Sequence, residues 1–162
     1  MTREAATRGD HNHQQCIDLA LDRAHRLCEE NGSRLTARRR QVLEQVWRGH
    51  DAVKAYDILE ELGEPRRTAK PPTVYRALRF LQSHGLIHRL ESLNAFVGCS
   101  DPQEAHPGHF FICTQCGVVR ELHDDTLARR VAHRAEGEGF AVESQTLEVQ
   151  GRCAQCQGGQ IS

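Results

Sequence analysis

Two Cys-x-x-Cys pairs, Cys113-Thr-Gln-Cys116 and Cys153-Ala-Gln-Cys156, constrain this chain more than any other feature. Each pair sets two soft thiolates on one tight turn. Two such pairs make a closed tetrahedral S₄ shell, the shell a structural zinc ion prefers. The 36 residues between the pairs exceed the roughly 15–20 of a simple zinc ribbon. The ion is therefore expected to join the two ends of a small unit, with a strand and a helix folded between them. Disulfides are the competing use of such cysteines. Met1-Thr-Arg-Glu leads into polar residues with no apolar signal core, so a cytoplasmic, reducing location is expected. Seven cysteines also leave one over in any disulfide pairing. A thioredoxin-type motif would follow a strand in a βαβ unit, and no such unit is evident.

A chain of 162 residues has room for one domain or two small ones. No apolar stretch is long enough to span a bilayer, so no membrane partner is expected. Charge is uneven along the chain. Residues 1–90 carry 16 Lys and Arg against 12 Asp and Glu, and residues 91–162 carry 5 against 10. A basic first half suits contact with a polyanion.

Residues 1–13 read as a disordered tail, polar and without apolar periodicity. Ile17, Leu21, Ala24 and Cys28 then fall on one face of a helix from Gln14 to Asn31, which makes Cys28 a core thiol. Asn31-Gly32 ends it. Thr36 is the N-cap of a second helix, Ala37 to about Trp47, with Val42, Leu43 and Val46 inward. A third helix begins near Ala55 and carries Tyr56, Ile58, Leu59 and Leu62. Residues 63–70 read as a basic turn. Pro71-Pro72 opens a fourth helix, which runs to about His84 and stops at Gly85.

Past Gly85 the apolar period drops to about two. Leu86–Leu90 and Ala95–Gly98 flank a turn at 91–94, a β-hairpin pattern. Helices followed by a two-stranded hairpin make a winged helix-turn-helix domain over 14–98. Residues 99–109 read as a polar hinge. A second unit over 110–157 is expected to hold a strand at Phe110–Cys113 and another at Val118–Leu122. A helix from about Asp124 to Glu138 follows, with Leu127, Val131 and Ala135 on one face, then a last strand from Phe140 to Val149. Residues 158–162 are a tail. The fold class is α+β: an N-terminal winged helix plus a small C-terminal α/β domain with a Cys₄ zinc site.

On the fourth helix, Thr73, Tyr75, Arg76 and Arg79 point away from the apolar stripe. Arg can bond guanine O6 and N7 together, and hydroxyls can reach phosphates. Arg66, Arg67 and Lys70 precede the helix, where backbone phosphates would run. The candidate DNA-contacting set is Tyr56, Lys70, Thr73, Tyr75 and Arg76.

Lys70-Pro-Pro-Thr-Val-Tyr-Arg-Ala-Leu, Gly85-Leu-Ile-His-Arg-Leu-Glu and Phe111-Ile-Cys-Thr-Gln-Cys-Gly together resemble the ferric uptake regulator family over about residues 14–156. Ala55-Tyr-Asp-Ile-Leu59 and Ala69-Lys-Pro-Pro-Thr73 fit its zinc-sensing branch. The resemblance implies a homodimeric, metal-activated repressor that uses its C-terminal unit to dimerise and its N-terminal unit to bind a palindromic operator in double-stranded DNA. It implies no catalysis and no small-molecule substrate.

A closed thiolate shell holds its ion too tightly to sense it, so a regulator needs a second, weaker site. The hinge region offers one: His88 on the wing, Cys99 at the hairpin's end, His106 in the linker and Glu121 on the following strand. This mixed N, S, N, O set suits tetrahedral zinc, and the resemblance points to the same four positions. Two zinc ions per chain are expected, one structural and one regulatory. His109 is the rival to His106, and His109, His123 and Asp124 form a candidate third set. Three competing functions follow from the same residues: a family member sensing iron, manganese, nickel or peroxide; a small zinc hydrolase using Glu121 as base; and a constitutive DNA-binding protein with structural zinc alone.

Overall fold

The computed structural model describes residues 12–49, 51–63, 71–103 and 106–158. The basic turn with Arg66, Arg67 and Lys70, and nearly all of both tails, lie outside these. The chain divides into two units between residues 104 and 105.

In the first unit the apolar stripes become α1 (His13–Glu30), α2 (Ala37–Trp47), α3 (Ala55–Leu62) and α4 (Pro71–Ser83). Side-chain caps start the first two. Asn12 accepts from the Gln14 amide at the start of α1, and Thr36 from the Arg39 amide at the start of α2. Gly85, at φ 67°, closes α4 in the left-handed conformation that side chains disfavour. The Leu86 amide then bonds back to the Leu81 carbonyl at 2.9 Å. Leu21, Ala24 and Cys28 of α1, Val42, Leu43 and Val46 of α2, Ile58 of α3 and Val74, Leu78 and Leu81 of α4 are buried together. Burying each of the larger ones stabilises the unit by about 1.5–3 kcal/mol. Cys28 is a core thiol, 1% exposed, as its place on the stripe requires.

The wing is an antiparallel pair, β1 (Ile87–Leu90) and β2 (Ala95–Gly98), in the register Ile87 to Gly98 and Leu90 to Ala95. A third segment, invisible in the hydrophobic pattern, bridges to it. Val53, between α2 and α3, exchanges two backbone bonds of 2.8 Å with Phe96. Gly98 is a close-approach glycine. A Cβ there would sit 2.3 Å from the Trp47 ring, so only glycine lets β2 lie flat on α2.

The second unit has a three-stranded sheet in the order β4-β3-β5: β3 (Gly108–Cys113), β4 (Val119–Glu121) and β5 (Thr146–Gly151). β4 is antiparallel to β3 and β5 is parallel to it. Between β4 and β5 runs α5 (Asp125–Gly137), capped by Asp124, whose carboxylate accepts from the Thr126 and Leu127 amides. Two expectations need correcting. β3 starts at Gly108, inside the segment read as hinge. β5 starts at Thr146, six residues after Phe140. The Phe140 amide is occupied in ending α5, bonding to the Ala135 carbonyl at 2.9 Å. Strand pairing begins only where Thr146 meets Gly108. The expected inner face of α5 is also thin. The helix has no buried residue, and Val131 is 41% exposed. No described helix is long and apolar enough to cross a membrane.

Candidate metal centres and nucleic-acid face

The parallel pairing of β3 and β5 explains the long interval between the two cysteine pairs. Its last rung sets Cys113 opposite Gly151, and the Thr114 amide bonds to the Gly151 carbonyl at 2.8 Å. The chain can then leave β5 straight into the second pair, beside the first. Each pair sits on a tight turn. The Gly117 amide bonds to the Cys113 carbonyl at 3.0 Å, and the Gln157 amide to the Cys153 carbonyl at 3.0 Å. Gly117 takes φ 77°, a value open to glycine, which lets the first turn fold back into β4.

The four sulfurs of Cys113, Cys116, Cys153 and Cys156 all lie within 4.8 Å of one another. Cys116 and Cys153 Sγ are 3.7 Å apart. Zinc–sulfur bonds of about 2.3 Å in a tetrahedron give an S···S edge of about 3.8 Å. A disulfide needs about 2.0 Å. The donor set and its spacing thus fit one tetrahedral zinc ion. The turn amides already prepare thiolate. N–H groups of Cys116, then Cys153, aimed at the Cys113 sulfur bring its pKa down to about 6. The Cys153 amide is 3.3 Å from that sulfur. Cys153 is lowered too, chiefly by the Cys156 amide. Cys156 is pushed up to about 12, first by its hydrogen bond with the Cys153 sulfur. Neighbouring thiolates repel one another until a cation neutralises them.

Of the four other candidate ligands, two lie in each unit. In the first unit, the Cys99 amide extends the wing ladder to the Leu86 carbonyl at 3.1 Å. With His88 paired to Val97, His88 and Cys99 become diagonal neighbours on one face of the wing, within reach of a shared partner. Cys99 is 2% exposed. In the second unit, β3–β4 pairing sets Glu121 opposite Phe110. His106 comes in from the segment before β3, with Nε2 2.8 Å from Glu121 Oε1.

The rival histidine faces elsewhere. His109 is buried on β3, and its Nε2 lies 2.9 Å from the Gln145 side-chain nitrogen. Asp124 is engaged as the cap of α5, with 2.9 and 3.0 Å bonds to two amides. His123 approaches Glu121 instead, with Nε2 3.7 Å from Oε2. His109, His123 and Asp124 therefore turn to three different partners.

On α4, Val74, Ala77, Leu78 and Leu81 are buried, which leaves Thr73, Tyr75, Arg76 and Arg79 exposed on the opposite side. Tyr56 on α3 is 65% exposed. Its hydroxyl bonds Glu60, and that carboxylate raises its pKa above the usual tyrosine value. Lys70 lies outside the described residues. Arg39 is tied down differently, its guanidinium 3.4 Å from the centre of the Phe80 ring.

Fold and site together define a class: a winged-helix chain with a second unit whose four clustered cysteines fit a metal ion. The chain belongs to the ferric uptake regulator family, whose model matches residues 30–150. The zinc uptake regulation protein of Escherichia coli (strain K12) is 39% identical over 137 residues, 84% of this chain and 80% of that protein. The ferric uptake regulation protein of Legionella pneumophila is 34% identical over 120 residues, 72% of this chain and 84% of that one. Among solved structures, a zinc uptake regulator complexed with zinc and DNA matches with a TM-score of 0.82 at 35% identity, over 92% of this chain and 97% of that one. Holo XcZur matches with a TM-score of 0.81 at 41% identity, over 88% and 99%.

Proposed function

We infer that this chain is a zinc-responsive transcriptional repressor. It binds a palindromic operator in double-stranded DNA as a homodimer when its second metal site is loaded, and it represses zinc-uptake genes. The observation that carries this reading is the likeness, over nearly the whole chain, to a zinc uptake regulator solved with zinc and DNA. The exposed polar face of α4 supports it, because Arg76 and Arg79 stand where a recognition helix needs base and phosphate donors.

Cys113, Cys116, Cys153 and Cys156 hold a structural zinc. His88, Cys99, His106 and Glu121 hold the regulatory one. A thiolate among nitrogen and oxygen donors favours zinc over manganese or iron. The four regulatory donors come from both units, so an ion bound by all of them ties the wing to the second unit. In a dimer that tie restricts the spacing of two recognition helices, which B-DNA requires at about one helical turn. Zinc then selects the DNA-competent state from an ensemble.

Homodimerisation through the second unit is supported by its surface. Phe111, Val131, Phe140, Val142 and Val149 are each more than 40% exposed, an apolar load that a small unit hides by pairing with a copy of itself.

The test is DNA binding by the purified protein across a buffered free-zinc series, with bound zinc counted at each step. Binding that appears as the second zinc per chain loads is the expected result. Binding already complete at one zinc per chain overturns the sensor reading. The 34% identity to a ferric regulator gives the second reading, a sensor of another metal. Activation by iron or manganese at free concentrations where zinc fails would favour it.

A further inference from the structure

Glu121 presents its two carboxylate oxygens to two different imidazoles. Oε1 is 2.8 Å from His106 Nε2, and Oε2 is 3.7 Å from His123 Nε2. The carboxylate side chain is 8% exposed and the His106 side chain 14%, whereas that of His123 is 44% exposed. The two rings stand 4.8 Å apart, inclined at 58°. The backbone around His123 is anchored on both sides. The Leu122 amide bonds the His109 carbonyl at 2.8 Å, and Asp124 caps α5. The ring is thus carried beside the outer oxygen by fixed chain, and the function above gives it no task.

Coordination chemistry supplies one. A carboxylate that binds through one oxygen counts as one donor, and with three others it completes a tetrahedron suited to zinc. If it binds through both oxygens it adds a fifth donor, and the site drifts toward cations that prefer more oxygen ligands. An N–H on the outer oxygen opposes that second mode and fixes the direction of the first.

We propose that His123 is a positioning residue for the regulatory zinc. Its Nε2–H holds Glu121 Oε2 away from the ion, so the carboxylate ligates through the oxygen that faces His106. The inference rests on the reading of His106 and Glu121 as regulatory ligands. The 3.7 Å separation is that of an ion pair. Rotation of the half-exposed ring, carrying Nε2 about 0.8 Å inward, brings it to ordinary hydrogen-bond length. Partners of this kind alter metal affinity about 10–100-fold.

The experiment uses the full chain with the Cys₄ site filled, comparing His123→Ala, His123→Gln and, as reference, Glu121→Ala. Competition with a chelator reads the affinity of the second zinc. Cobalt(II) substituted at that site reports coordination number through its visible bands, which are strong in four-coordinate sites and weaker in five-coordinate ones. Far-ultraviolet circular dichroism checks that each variant is folded. The expected result is a second zinc bound about 10-fold more weakly by His123→Ala, with weakened cobalt bands. His123→Gln keeps an N–H donor and restores most of both. An unchanged affinity and spectrum in His123→Ala overturns the proposal. Weakening that Gln fails to restore also overturns it, since the N–H would then not be the active feature. Glu121→Ala separates the two readings. If it leaves the second zinc untouched, the regulatory ligand set itself is wrong. If it abolishes that site while His123→Ala changes nothing, only the positioning role fails.

Discussion

The two units bury their apolar residues to very different degrees. In the first, four helices and a wing close over Leu43, Ile58, Val74, Leu78 and Leu81, each at 1% exposure or less. In the second, α5 buries nothing completely, while Phe140 is 70% and Phe111 48% exposed. Side-chain burial holds the first unit together. A sheet of three short strands cannot do the same for some fifty residues, since small cores need a metal, a disulfide or a partner. The same unit has the four clustered cysteines and an exposed apolar face, the two features through which a metal or a partner could make up that shortage. The difference teaches that the first unit has a core of its own, whereas the second has a four-cysteine cluster fitted to a metal ion where such a core would be.

Metal removal is the strongest way to break the comparison. Structural zinc in such sites binds with about 10–16 kcal/mol of apparent free energy, which becomes folding free energy. Stripping it with a strong chelator, or replacing Cys113 by Ser, should unfold the second unit and leave the first with its own cooperative melt. Hydrogen exchange resolved by peptide checks this. Protection lost equally in both units would mean that the first unit leans on the second. The pH dependence has a definite sign. Cys156, held up to about 12, must give up its proton to bind, so zinc affinity falls as pH falls. Cys113, brought down to about 6, adds a further loss once pH drops through that value.

Cavity formation comes next. Leu81→Ala, at a position with 0% exposure, should cost the first unit about 2–5 kcal/mol in chemical unfolding. Leu127→Ala on α5 should cost well under half of that, since its side chain is only partly covered. Equal losses would mean that the second unit has a core comparable to the first.

Gly98→Ala probes the join between helix and wing. The new methyl meets the Trp47 ring at 2.3 Å, so β2 or the indole must move. Overpacking of this kind costs about 1–3 kcal/mol. Cys99 follows directly in the chain, so the wing's ladder bond from Cys99 to Leu86 should be disturbed as well, visible as faster exchange of the Cys99 amide. A thermal melt unchanged within error would show that Trp47 yields freely.

These positions also show what can be read from sequence. The helices of the first unit follow the expected bounds closely, because these ends are chemical and local: Thr36 and Pro71 at the starts of α2 and α4, and Gly85 after α4, each act on the backbone beside them. The Cys₄ set was legible for the same reason, each half being a tight turn. The start of β5 was not. Phe140-Ala-Val142 has strand-like residues, yet a strand exists only where a partner offers matching groups, and β3 offers them from Gly108 onward. The Val53–Phe96 rung was missed on the same ground. Among candidate ligands, spacing could pair Cys113 with Cys116 but could not separate His106 from His109. The neighbour that His109 turns to is Gln145, 36 residues away in the chain, which spacing cannot reveal.

The smallest expected effect compares two helix caps, and it tests the same contrast from its fine end. Thr36 Oγ1 accepts from the Arg39 amide at 3.5 Å, the outer limit of a hydrogen bond, at the head of a helix already pinned by Val42, Leu43 and Val46. Asp124 Oδ1 accepts two amides at 2.9 and 3.0 Å, and its charge meets the positive end of a helix that buries no residue. Replacing a good cap by Ala costs about 0.5–2 kcal/mol. Asp124→Ala should fall in the upper half of that range and Thr36→Ala at the bottom, measured as unfolding midpoints of the zinc-loaded protein. The reverse order would mean that α5 is secured by packing after all, by a partner copy covering Val131 and its neighbours. Repeating the Asp124→Ala measurement at tenfold dilution then separates the cases, because only stability drawn from a partner falls with concentration.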